Sequence, residues 1–121
     1  MKLQLFSNIW LVFANISASD GFDFNDLIDY EQYEKKSYLG AYANILIKAN
    51  IINEALEIVN RGLSELHFKA LFVDKIANFK SLVEYDEVGE NIIEEAKWLI
   101  NSEFVFKISD KLFPYTSLEE E

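Results

Sequence analysis

Residues 37–66, SYLGAYANILIKANIINEALEIVNRGLSEL, carry the strongest periodic signal in the chain. Leu39, Tyr42, Ile45 and Leu46 fall at helical spacing on one face, and Leu56, Val59, Leu63 and Leu66 on another. Between them, Asn50 to Asn53 supplies one Asn able to leave a helix through the left-handed conformation and another able to cap the next. The spacing predicts a helical hairpin.

Moving this stretch along by 34 residues lays it on Leu71 to Ile100, and the small residues coincide: Ala43 on Ala77, Ala55 on Gly89, Gly62 on Ala96. Large residues keep the register, with Tyr38 on Phe72, Leu39 on Val73, Tyr42 on Ile76, Ile45 on Phe79, Ile58 on Ile92 and Val59 on Ile93. Small residues at close helix crossings, ringed by bulky ones, are what two packed hairpins need. The period and the phrase Glu54-Ala55-Leu56-Glu57 resemble the tetratricopeptide repeat over about half the chain. Departures from that pattern are Tyr42-Ala43 for its Leu-Gly pair, Asn50 and Glu84 for its turn glycine, and no closing proline in either copy. The resemblance implies a protein-binding scaffold with a concave peptide groove.

Outward from the hairpins, residues 1–18 read as an N-terminal helix, with Leu3, Phe6, Trp10 and Phe13 in one row and Leu5, Ile9, Val12 and Ile16 in the next. The same segment has the outline of a secretory signal, although Gln4, Ser7 and Asn8 interrupt its apolar run. Residues 20–34 form an acidic aromatic segment, in which Asn25 is the expected cap of a helix. Its Asp spacing does not match a calcium loop. His67, at the hand-over between hairpins, reads as a capping or surface residue. A second acidic cluster runs from Glu84 to Glu95, with Asp86 expected to cap the following helix. Trp98 lies outside that helix's apolar row, as a packed seal or a displayed anchor. Residues 102–113 suggest a final helix stopped by Pro114, although Phe104-Val105-Phe106 alone also fits a strand, and 114–121 is an acidic tail.

The expected fold is therefore all-α: one helical domain of antiparallel hairpins forming a small bundle or short solenoid. Half of its 121 residues are hydrophobic, with ten Phe, six Tyr and two Trp, which argues against disorder. There is no Cys and only one His, which excludes disulfides and thiolate sites and removes most His-based chemistry. No cofactor motif is present, and the reading is of a non-enzyme.

Net charge is −10, with 21 acids against 11 bases, a field that disfavours nucleic acid and anionic membranes and favours a basic protein partner. Size, expected helical content, strong negative charge and missing catalytic residues are similar in profile to bacterial immunity proteins and antitoxins. The expected function is cytoplasmic inhibition of a basic toxin domain such as a nuclease, through Asp23, Asp26, Asp29, Tyr30, Tyr33, Glu87, Glu90 and Glu94. Two alternatives are a repeat-type adaptor or chaperone holding a peptide or secretion substrate in a groove, and a structural subunit of an oligomer.

Overall fold

Strands and helices alternate along this chain, which overturns the all-helical expectation. The computed structural model describes residues 3–28 and 38–116. A 3-10 turn, Leu3–Phe6, leads into β1 (Ile9–Ala18), followed by α1 (Phe24–Leu27), β2 (Gly40–Lys48), α2 (Ile52–Glu65), β3 (Phe68–Asn78), α3 (Phe79–Glu84), α4 (Glu90–Ile100) and β4 (Phe106–Tyr115). The strands form one antiparallel sheet in the order β3-β1-β2-β4.

The central pair, β1 and β2, is covered on both faces. Consecutive strand residues point to opposite sides. On one side Val12, Ala14 and Ile16 of β1, with Ala41, Ala43, Ile45 and Ile47 of β2, pack with Ala55, Val59 and Leu63 of α2. On the other, Ile9 and Leu46 pack with Phe79 and Leu82 of α3, with Ile93, Ala96 and Leu99 of α4, and with Phe6. Two cores are thus separated by the sheet. The α2 crossover from β2 to β3 lies over one face, and the α3–α4 crossover from β3 to β4 over the other.

Burial on both faces explains where the helical reading fails. A strand with two apolar sides is a continuous apolar run and loses the alternation that would distinguish it from a buried helix. Residues 3–18 of the expected N-terminal helix are therefore a short 3-10 turn and β1. In each expected hairpin the first half is largely a strand (β2, and β3 running into α3), whereas the second halves are helices, α2 and α4. The expected helix 102–113 is β4, and Pro114 sits inside that edge strand opposite Ala41, where proline is tolerated. A groove between stacked helical hairpins has no counterpart among the described residues. Residues 117–121 of the expected tail lie outside them.

Caps differ too. Asp23, not Asn25, caps α1, its side chain accepting from the Asn25 N–H at 3.2 Å, while the buried Asn25 accepts from the Tyr38 N–H at 2.8 Å. Gly89 precedes α4, and Asp86 adopts a left-handed φ of 55° in the turn after α3. His67, also left-handed at φ 69°, closes α2 and stacks on Phe22 at 4.2 Å. It is exposed, follows the Leu66 C-cap, and donates its N–H to the Ser64 carbonyl at 3.1 Å.

The matched small residues have a real use, but not at helix crossings. Gly62 of α2 and Ala96 of α4 are both buried, on opposite sides of the sheet. A Cβ on Gly62 would lie 2.5 Å from the ring of Phe106 in β4, so the glycine admits that ring against the helix. Beyond α3 and α4 on their side of the sheet, Tyr42 stacks on Phe13 at 5.5 Å and meets Phe72 and Tyr115. The Tyr115 hydroxyl donates to the buried Asn15 Oδ1 at 2.5 Å.

Gly62→Ala should lower the unfolding free energy by about 1–3 kcal/mol through overpacking, against the roughly 1 kcal/mol that helix propensity alone would add. Adding Phe106→Leu should recover part of the loss, as urea titration of the double-mutant cycle reads. A Gly62→Ala chain more stable than its parent would contradict this packing.

Candidate functional site

The site is built by an irregularity in β4. Between the pairs Ala43↔Leu112 and Ile45↔Ile108, three residues of β4, Ser109 to Lys111, stand opposite the single Asn44 of β2. Bulges of this kind re-aim side chains at sheet edges. Here the bulge faces α4, and Glu95 closes it. One carboxylate oxygen accepts from the Ser109 hydroxyl at 2.8 Å, and the other from the Asp110 N–H at 3.0 Å.

Lys107 completes the clasp. Its ammonium lies 3.1 Å from Glu95 and 3.2 Å from Asp110, and 5.8 Å from the centre of the Trp98 ring. Burial works to lower the Lys107 pKa, but hydrogen bonds to Glu95 and Asp110, with the attraction of both charges, hold it above its ordinary 10.5.

Above this clasp lies an aromatic pair. Trp98 of α4 and Phe104, in the loop before β4, stack with centroids 5.9 Å apart and planes 12° from parallel. Buried aromatics of this size are normally enclosed, yet Trp98 is 50% and Phe104 62% exposed. The groove they share with Glu94, Glu95, Phe106, Lys107 and Asp110 has a volume of about 600 Å³. A second groove, about 370 Å³, begins on the far side of Phe104 and runs along α2 past Arg61, Gly62 and Leu66. Val105 and Leu66 extend the exposed apolar surface there. Contiguous apolar surface with a polar rim marks an interaction site.

Among the described residues, no group of three or more His, Cys, Asp and Glu is placed to hold a metal ion. No helix among them is long and apolar enough to cross a membrane.

Comparison with protein-family models, with curated proteins and with solved structures finds no match.

The sequence-expected residues that are described do not form one patch. Asp23 is used as the α1 cap and Asp26 is exposed on α1, which packs through Phe24 into the core on the α2 side. Glu87, Glu90 and Glu94 lie before and on α4, which covers the opposite face. Asp29, Tyr30 and Tyr33 lie outside the described residues. Only Glu94 lines the groove, where it also pairs with Lys97 at 3.5 Å.

Sequence reasoning missed Phe104, Lys107 and Asp110: a helix over 102–113 would keep them on one side, but nothing in the spacing sets that side beside Trp98 or gathers them round Glu95. The available signals were Trp98, off its helix's apolar row, and Phe104-Val105-Phe106, which fits a strand.

Because folded Lys107 binds its proton more tightly than the unfolded chain does, the stability it adds is complete below pH 10.5 and drains away as pH rises through the higher folded pKa. The urea midpoint of the parent should therefore fall more steeply above that pH than that of Lys107→Met. Parallel alkaline slopes would contradict the clasp.

Proposed function

We propose that this chain is a non-catalytic inhibitor of a basic protein, an immunity-type partner of a toxin domain such as a nuclease. Its docking face is the acid-rimmed aromatic groove of α4 and β4.

The observation that carries this reading is the exposed stack of Trp98 on Phe104 beside Glu94, Glu95 and Asp110. Exposed Trp is the residue type that most often anchors a protein interface, because one rigid side chain buries a large apolar area. Acidic groups around such an anchor orient a basic partner and accelerate encounter, and a net charge of −10 extends that attraction beyond the contact itself. Glu87 and Glu90, both exposed, lie on the approach along α4. Clasp and anchor have different roles: Glu95 and Lys107 are largely buried and hold the edge in place, while Glu94 and Asp110 face water.

A second reading, as a subunit of an oligomer, has one observation in its favour. The edge strand β3 exposes Leu71, Phe72 and Val73 in sequence, and an uncovered apolar edge is a template for pairing with another strand. The bulges that displace β3 against β1, together with Asp74 and Lys75 beside that run, work against it.

If the inhibitor reading holds, the reading frame adjacent to this chain's encodes a basic protein whose expression arrests growth, and co-expressing this chain restores it. Trp98→Ala should weaken the purified pair by about 2–4 kcal/mol, the loss typical of a central anchor. Glu94→Lys should slow association, most strongly at low salt where screening is weak. Arrest that persists beside the intact chain, or rescue untouched by Trp98→Ala, would contradict the reading.

A further inference from the structure

The groove beside Trp98 is already a cation site. Lys107, from the same chain, is held there over the indole ring and against two carboxylates. It does not use up what the groove offers. Three carboxylates line the cavity against this one ammonium. The Asp110 side chain is 85% exposed and that of Glu94 61% exposed, and each has an oxygen that makes no hydrogen bond or ion pair among the described residues. Lys97 pairs with Glu94 from outside the lining at 3.5 Å, a long surface contact that solvent screens. Half of Trp98 faces water, and the Phe104 ring beside it lies nearly parallel.

A flat aromatic floor, exposed carboxylates at its rim and a surplus of negative charge define one complementary side chain. We propose that the groove between α4 and β4 receives an arginine of the partner, its guanidinium lying on the Trp98 ring and donating to Asp110 and Glu94. The proposal rests on the reading of this face as the docking surface and adds the chemistry of what enters it. Arginine fits better than lysine for two reasons. Its planar, weakly hydrated head stacks on an aromatic face with little desolvation cost, and its fork of N–H donors serves two carboxylates at once. A lysine brings a compact, strongly hydrated charge, and the groove already holds one.

Lys107 then has a second consequence. Its ammonium, 5.8 Å from the centre of the same indole ring, shares that ring with the arginine and so limits the groove to one further cation.

The test needs no toxin. The full chain, labelled with nitrogen-15, is titrated with a blocked Gly-Arg-Gly-Arg-Gly peptide and, separately, with its lysine counterpart, and the two indole N–H signals are followed. Trp98 is assigned by its absence in Trp98→Phe. The Trp10 indole, which donates to the Ala49 carbonyl at 3.0 Å, is the internal control. The arginine peptide should shift the Trp98 signal saturably, leave Trp10 in place, and bind about two- to fivefold tighter than the lysine peptide, as expected for a partly exposed cation–π contact. Asp110→Asn and Glu94→Gln should each weaken it by a similar factor, whereas Glu57→Gln on α2 and Asp74→Asn on β3 should not. Equal shifts with both peptides, no shift at Trp98, or equal weakening by the control substitutions would overturn the proposal. Because peptide binding is read without the partner, growth rescue by a chain that ignores the arginine peptide would remove this inference and leave the inhibitor reading standing.

Discussion

Burial of β1 and β2 on both faces is the constraint from which the rest of the structure follows. A strand pair with apolar residues on each side cannot leave either to water, so one crossover must lay a helix on the first face and the other must lay helices on the second. The chain does this with α2 between β2 and β3, and with α3 and α4 between β3 and β4. The small residues Ala14, Ala41 and Ala43 let α2 approach closely, while Leu46 is aimed at α4. β3 and β4 are left as edges, and it is at an edge that the candidate site forms.

At β4 the sheet is held to α4 by charge as well as by packing. Glu95 receives the hydroxyl of Ser109 and the backbone of Asp110, and Lys107 neutralises it. A largely buried carboxylate with two donors and an ammonium is well satisfied, and removal of either charged partner strands the other. This clasp keeps Asp110 at the rim of the groove and the start of β4 close to α4. Phe104, just before that strand, is thereby placed against Trp98. Structural and interaction roles meet in the same few residues, and burial tells them apart.

Much of the helical part was legible in the sequence. The spacing of Val59 and Leu63, and of Ile93, Ala96 and Leu99, identified both long helices, because each presents one apolar face to the sheet and one polar face to water. The small residues Gly62 and Ala96 were read as helix crossings, and the sheet overturns that reading: at Gly62 what approaches is Phe106 of β4. The strands were hidden by their own burial. Residues 9–16, apolar at nearly every position, fit two helical rows as well as two strand faces. β4 was concealed differently, since its bulge breaks the alternation of Phe106, Ile108 and Leu112, and Pro114 looks like a helix stop. Of the expected partner-binding residues that are described, only Glu94 lines the groove, because acid density along a sequence says nothing of which face each acid occupies. Trp98, off its helix's apolar row, was the better guide.

Amide hydrogen exchange tests the two-sided sheet most directly. Where β1 and β2 form the centre of two cores, their paired amides, such as those of Val12, Ala14, Ile45 and Leu46, open only with the whole molecule. They should form the slowest-exchanging set, and the amides of α2 and α4 should exchange no more slowly. If α2 and α4 held the slowest set while residues 10–16 and 41–47 exchanged through local opening, the sheet would not be the structural centre, and a fold governed by its two buried faces would be contradicted.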